Sequence, residues 1–175
     1  MYYTIYTQAG LGAEAAAKAG GDKVDFVQMA VGDGNGSDVT PDKDMTSLVN
    51  EVWRGDVSIV SVTEESANWV SVEAKIPVAV GGWIIREVGL FNAAGTMLAI
   101  ANYPATPKPV LADGIYRDCY LRLYIAVEST DNITLTVDPD VVMATREYVD
   151  SLVEPLQLSV LEVKRRAFFY ANTLF

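Results

Sequence analysis

A regular alternation of apolar and polar residues in the second half of the chain constrains the fold more than any other feature. Between residues 116 and 127, Leu121, Leu123 and Ile125 occupy every second position, and Arg122 and Tyr124 stand between them. A period of two places the apolar side chains on one face of a β-strand. We therefore expect one face of this strand to pack into a core and the other to meet water or a partner.

Earlier segments repeat this pattern and predict two β-hairpins. Residues 58–62 and 70–76 alternate in the same way, with polar residues between the two segments. Residues 84–91 and 97–103 flank the sequence Asn92-Ala93-Ala94-Gly95, which has the composition of a turn. The middle of the chain is therefore expected to be antiparallel β-structure.

Three prolines follow the second hairpin. Pro104, Pro107 and Pro109 each lack the backbone donor that a sheet ladder uses. We expect them to force an irregular surface connection to the strand at 116–127. Residues 133–137 alternate once more and predict one last strand.

Helix signals lie at both ends of the chain. Residues 11–19 are rich in Ala, and residues 43–49 follow a Thr40-Pro41 start signal. Asp138-Pro139 has the composition of a helix cap followed by a first-turn proline, so a further helix is expected to run to about Val153. The sequence predicts an α+β protein, with a mainly antiparallel β head, two short N-terminal helices and a C-terminal helix.

The C-terminal helix carries a heptad-like pattern. Its apolar or hydroxyl residues step by alternating four and three positions, as the core positions of a coiled coil do. They are Thr145, Val149, Leu152, Leu156, Ser159 and Val163. Pro155 interrupts the pattern, and periodicity alone fits a single helix packed on the β head equally well.

Composition excludes several classes of function. The formal net charge of −10 is unsuited to a nucleic-acid groove, because phosphate binding needs clustered Lys and Arg. The chain has no His and one Cys, so it lacks the commonest general base, the Cys and His ligands of a zinc site and an internal disulfide. The longest apolar run, residues 76–85, is half the ~20 residues that a membrane helix needs. We expect neither cofactor nor metal, and neither nucleic acid nor membrane as a partner.

Local motifs give few site candidates. The run from Gly32 to Gly36 lacks the spacing of a phosphate-binding loop, and it fits a calcium loop poorly because Asp38 replaces the usual glycine. Arg86 and Glu87 lie inside an otherwise apolar strand, where a charge is costly unless it is paired. We therefore expect Arg86 and Glu87 to be structural ion-pair residues, with a solvent-facing strand position as the alternative for Arg86.

Five ordered blocks of the sequence resemble the N-terminal domain of phage tail-collar fibre proteins. The blocks are residues 30–36 (AVGDGNG), 48–54 (LVNEVWR), 82–95 (GWIIREVGLFNAAG), 108–110 (KPV) and 135–150 (LTVDPDVVMATREYVD). The resemblance implies a non-enzymatic structural protein of the virion tail, assembled in the host cytoplasm. It also implies a head that anchors the fibre to the phage baseplate and a homotrimer that supports host attachment. The C-terminal helix would then form a trimeric bundle.

The resemblance implies two regions, a baseplate-attachment head at residues 1–138 and a helix with an apolar tail at residues 139–175. Trimer-interface candidates are Thr145, Val149, Leu152, Leu156 and Val163. The tail departs from the family pattern in the run from Lys164 to Tyr170, where Phe168, Phe169 and Tyr170 are candidates for docking a distal fibre or receptor-binding protein.

Two rival functions stay open at the level of sequence. Trp53, Trp69 or Trp83 could stack sugars in a self-contained carbohydrate-binding module, although packing in a core or a subunit interface is the more usual role of such residues. A hydrolase with a pair of carboxylates is the second rival, but no two carboxylates stand out by position.

Overall fold

The computed structural model describes residues 1–63, 68–110 and 118–137. The described elements are β1 (Thr4–Tyr6), α1 (Gln8–Lys18), β2 (Gln28–Gly32), β3 (Glu51–Asp56), β4 (Ile59–Val62), β5 (Trp69–Ile76), β6 (Trp83–Phe91), β7 (Met97–Lys108), β8 (Cys119–Ala126) and β9 (Thr136–Val137). Single 3₁₀ turns lie at Gly34–Gly36 and Thr130–Asn132.

The strands form two antiparallel sheets. One has five strands in the order β1-β7-β6-β2-β3, and the other has four in the order β8-β5-β4-β9. A parallel bridge between Val24 and Ile133 joins segments outside these strands. The main core contains buried residues of both sheets, including Val31 and Ile85 of the first and Val72 and Leu121 of the second. The alternation in the sequence therefore identified the faces that the two sheets bury.

The expected α+β class with two N-terminal helices is wrong, because the described residues are mainly antiparallel β-structure and contain one α-helix. Helix α1 confirms the first helix. At residues 43–49, Asp42 accepts hydrogen bonds from the amides of Asp44 and Met45 and forms one turn. The amides of Val49 and Asn50 then donate to the side chain of Glu87 instead of to a preceding helical carbonyl. The C-terminal helix and its trimeric bundle lie outside the described residues.

Both predicted hairpins are confirmed. Strands β4 and β5 pair with Val60 opposite Val72, and strands β6 and β7 pair with Leu90 opposite Ala99. The turn between β6 and β7 is closed by Asn92, whose side-chain oxygen accepts hydrogen bonds from two turn amides. Alternation thus predicted both strand pairs, and the turn residue Asn92 closes the hairpin of β6 and β7.

The irregular connection expected at the prolines is wrong for Pro104 and Pro107, since β7 continues as a strand to Lys108, although its register with β6 shifts between Asn102 and Thr106. Pro107 lies opposite Ile84 and Lys108 lies opposite Trp83. On the other side of β7, β1 pairs with residues 99–101 alone among the described residues. Pro104 and Pro107 therefore lie on a stretch of β7 whose outer edge has no described partner, where a missing N–H costs little.

Helix α1 is fixed to this sheet through its N-terminus. The Thr7 side chain accepts a hydrogen bond from the amide of Gly10 (3.1 Å) and donates one to the carbonyl of Met97 (2.6 Å). Gly10 lies so close to β7 that a Cβ atom built on it would overlap the carbonyl oxygen of Leu98. The helix end is held by an ion pair between Lys18 and Glu128 (2.5 Å).

Tyr6, at the end of β1, has a buried hydroxyl with no hydrogen-bond partner among the described residues. Burial, with a smaller contribution from the charge of Glu14, raises the pKa of this hydroxyl above its ordinary value of 10.0. Because the pKa is raised in the folded state, the unfolded chain ionises at a lower pH than the folded protein. The free energy of unfolding is therefore fully retained below about pH 10 and falls as the pH rises above that value.

Tyr6→Phe is therefore expected to leave stability unchanged or raise it by about 1 kcal/mol at neutral pH, because it removes an unsatisfied hydroxyl. At about pH 11 the gain over the parent chain should be larger. Urea unfolding of both proteins at the two pH values measures the difference. A loss of stability in the Phe variant at neutral pH would show that the hydroxyl has a partner.

Candidate functional site

Three of the sequence blocks that carry the family resemblance meet around the side chain of Glu87. This carboxylate is fully buried and accepts hydrogen bonds from the amides of Val49 (2.9 Å) and Asn50 (3.0 Å). Gly32 lies against it, and a Cβ atom there would overlap Oε1 of Glu87. Strand β6 thus holds the segment that precedes β3 through one side chain, and the block at residues 30–36 needs glycine to allow this approach.

The neighbouring turn is held by Asp33. Its Oδ1 accepts hydrogen bonds from the amide of Asn35 (2.9 Å) and from the side-chain amide of Asn50 (2.8 Å). Asn35 has a φ of +52°, between two glycines with positive φ. The Asp33 carboxylate therefore closes the turn and holds it against Asn50. This use of the carboxylate favours a structural role over a phosphate or calcium site.

Arg86, the residue beside Glu87, forms an ion pair with Asp38 at 2.6 Å. The Arg86 side chain is 19% exposed and that of Asp38 is 86% exposed, so the pair lies at the surface. The Nε atom of Arg86 is buried without a hydrogen-bond partner among the described residues. The polar groups of Arg86 and Glu87 thus fix loops at one end of the five-stranded sheet. Within the described ranges, no group of acidic and cysteine residues could hold a metal ion.

The outer face of the four-stranded sheet carries a second group of notable residues. We call this surface the aromatic face and define it by Trp69, Glu73 and Lys75 on β5 and by Tyr120, Arg122 and Tyr124 on β8. Trp69, Tyr120 and Tyr124 are 43%, 42% and 46% exposed. Their neighbours on the opposite face of the same strands, such as Leu121 and Leu123, are buried.

Ion pairs connect the charged residues of the aromatic face. Arg122 contacts Glu73 at 2.8 Å, directly across the β5–β8 ladder, and Lys75 contacts Asp118 at 2.8 Å. The hydrogen bond from Lys75 holds the pKa of the half-buried Asp118 carboxyl below its usual value. Hydrogen bonds to Tyr124 and Glu73 raise the pKa of Arg122. Each charge on this face therefore has an opposite charge beside it.

The aromatic face continues at Trp69 and Tyr124 into a groove of about 380 Å³. Tyr2 and Tyr3 line its other side, and Asn102 holds this N-terminal segment in place. The Asn102 side chain accepts a hydrogen bond from the amide of Tyr3 (2.9 Å) and donates one to the carbonyl of Met1 (3.1 Å). The groove therefore has fixed walls from both sheets.

The three tryptophans have different environments. Trp53 and Trp83 are half-buried and pack against the main core, whereas Trp69 is exposed. Sequence reasoning had not grouped Trp69 with the tyrosines of β8. The alternation did predict that Tyr120, Arg122 and Tyr124 face away from the core, and the cross-strand register then brings Trp69 diagonally next to Tyr124.

Other candidate residues lie outside the described residues. They are the trimer-interface candidates Thr145, Val149, Leu152, Leu156 and Val163, and the docking-tail candidates Phe168, Phe169 and Tyr170. The proposed boundary at residue 138 also falls at the end of the described residues and stays a prediction. Among those described, no helix combines the length and apolar character that a bilayer crossing demands.

Comparisons with known proteins agree with the resemblance of the five blocks. The profile of the family described as "Phage tail-collar fibre protein, N-terminal" matches residues 1–147. The chain is 43% identical over 150 residues to a "Probable tail fiber protein" of Escherichia phage P2, a match that covers 85% of this chain. The chain spans only 22% of the length of that relative. No solved structure matches the chain significantly.

The family profile covers the whole described part of the chain, including both sheets and the residues around Glu87. A match of this extent together with 43% identity to a tail fibre protein is far more specific than any local motif. The chain therefore belongs to the phage tail-collar fibre protein family, whose members are structural components of the virion tail.

Proposed function

We propose that this protein forms the base of a phage tail fibre, or a fibre adaptor, that anchors to the tail baseplate as a homotrimer and supports host attachment. The observation that carries the proposal is the family match over residues 1–147, which is a match to the N-terminal part of tail-collar fibre proteins. The phage P2 relative is several times longer than this chain, so the matched region is a small part of that fibre.

The geometry of the head supports a structural role. The buried carboxylate of Glu87 and the carboxylate of Asp33 are used to fix backbone segments and turns. A head that transmits force needs a stable interface with its partner. Loops that are already fixed favour such an interface, because they lose less conformational entropy when it forms. We propose a mechanical function, without catalysis, for residues 1–138.

The C-terminal region supplies the proposed symmetry. Three parallel copies of the predicted helix would bury the heptad residues, which include Val149, Leu152 and Leu156, along one axis. Phe168, Phe169 and Tyr170 would then be presented together at the end of that axis. We propose that a distal fibre or a receptor-binding protein docks there, while the head binds a baseplate protein.

The homotrimer gives a direct prediction. Light scattering of the full chain should yield three times the 19.0 kDa of one chain. The double variant Leu152→Asp and Leu156→Asp should shift the mass towards one chain, because a coiled-coil core does not tolerate buried unpaired carboxylates. Ser151→Asp, which lies outside the heptad core positions, is the matched control and should leave the trimer intact.

A parent chain with the mass of a monomer would contradict the homotrimer.

Baseplate anchoring needs a separate measurement, in which the labelled full chain is mixed with fibre-less phage tails and located by electron microscopy. Label at the baseplate supports anchoring, and label elsewhere on the tail or none contradicts it.

A further inference from the structure

The aromatic face differs from an ordinary solvent-facing side of an antiparallel sheet. Such a side usually carries polar residues in alternation with the buried ones. Here the outward positions of β5 and β8 include Trp69, Tyr120 and Tyr124, all more than 40% exposed. Aromatic residues and Arg are the types that protein–protein interfaces enrich, and exposed patches of this kind mark interaction sites.

Charge balance indicates which partner fits the aromatic face. The chain carries a formal net charge of −10, so two copies repel each other over most of their surfaces. On the aromatic face the Glu73–Arg122 and Lys75–Asp118 pairs cancel. Copies of this chain can therefore approach each other here without the repulsion that other surfaces would cause. A basic partner would not be attracted to this face, because the face has no excess of negative charge.

Chain continuity points to the same partner. Strand β9 ends at Val137, which pairs with Ile59 on β4 of the four-stranded sheet. The first predicted heptad residue, Thr145, follows eight residues later, a length of chain that reaches at most about 28 Å. In copies joined by a C-terminal bundle, only this short connection would separate β9 of each head from the predicted helix.

We propose that the aromatic face is the contact through which the heads of neighbouring copies pack against each other in the trimer. This inference rests on the homotrimer proposed above and adds a second interface to it, in the β head. Trp69 and Tyr124 lie at the end of this face that continues into the groove containing Tyr2 and Tyr3, where they are adjacent and exposed. The Glu73–Arg122 pair lies between these two aromatic residues and Tyr120, and its charges cancel within the contact.

The experiment compares the full chain with the variants Tyr124→Asp and Trp69→Ala by sedimentation velocity over a concentration series. Either change should lower the association constant of the trimer at least about tenfold, because a few aromatic residues that an interface buries carry most of its energy. Ile84→Asp is the matched control, since Ile84 is a 39% exposed strand residue of the other sheet. Far-UV circular dichroism and thermal unfolding establish that each variant is folded.

The outcomes separate this inference from the proposed function. A parent trimer that is weakened by both changes on the aromatic face, and unaffected by Ile84→Asp, supports the head contact. A parent trimer whose association constant is unchanged by Tyr124→Asp and Trp69→Ala overturns the head contact and leaves the helix-based trimer standing. A monomeric parent overturns both. Binding of a neutral oligosaccharide to the full chain that Trp69→Ala abolishes would make this face a sugar site and would also overturn the inference.

Discussion

Replacing Gly10 with Ala should lower the free energy of unfolding by about 2 kcal/mol or more. The new Cβ would overlap the backbone carbonyl of Leu98 and the ring of Tyr6. Because a backbone carbonyl in a sheet cannot rotate away as a side chain can, helix α1 would have to move off β7. This cost exceeds the gain of about 1 kcal/mol that Ala brings over Gly in a helix. Urea unfolding followed by circular dichroism measures the change.

Gly12→Ala is the matched control for this variant. Gly12 lies in the same helix, two residues further on, and a Cβ there would meet nothing within 4 Å. It should therefore show the helix-propensity gain alone, so the two variants are expected to differ by about 3 kcal/mol with opposite signs. If both substitutions stabilise the protein, α1 does not pack on β7 as closely as described.

Replacing Glu87 with Ala should lower the free energy of unfolding by about 4 kcal/mol. The change leaves the amides of Val49 and Asn50 without their acceptor and creates a cavity beside Gly32. Glu87→Gln keeps the volume and one acceptor oxygen, but its NH₂ group would face an amide N–H. The expected loss in the free energy of unfolding of Glu87→Gln is about 2 kcal/mol. Denaturant unfolding of the three proteins gives the ranking.

Glu51→Ala is the control for the loss of a carboxylate. Glu51 is exposed and pairs with Arg54, and an ion pair of this kind contributes less than about 1 kcal/mol. Equal losses in Glu51→Ala and Glu87→Ala would contradict the role assigned to Glu87. Hydrogen exchange should also quicken at Val49 and Asn50 in Glu87→Ala and stay unchanged in Glu51→Ala.

The sequence predicted the strands well because each has one buried face. Alternation is a local signal, and in strand β8 it correctly separated the buried Leu121 and Leu123 from the exposed Tyr120 and Tyr124. The hairpin at Asn92 was predictable for the same reason, since the turn residue closes its own backbone. Information within a few residues was sufficient in both cases.

The errors arose where distant residues decide local structure. Residues 43–49 carry a helix start signal, but Glu87, some forty positions away, binds the amides of Val49 and Asn50. No local pattern contains that contact. The aromatic face was likewise only half predictable, because the placement of Trp69 beside Tyr124 depends on the pairing of β5 with β8.

The prolines of β7 have a consequence for assembly. An uncovered strand edge can recruit a strand from a neighbouring protein and produce uncontrolled polymers. Pro104 and Pro107 lie along the stretch of β7 that β1 leaves uncovered, where they remove two of the backbone donors that a recruited strand would need. The two prolines therefore make this edge a poor template for a strand from a neighbouring molecule.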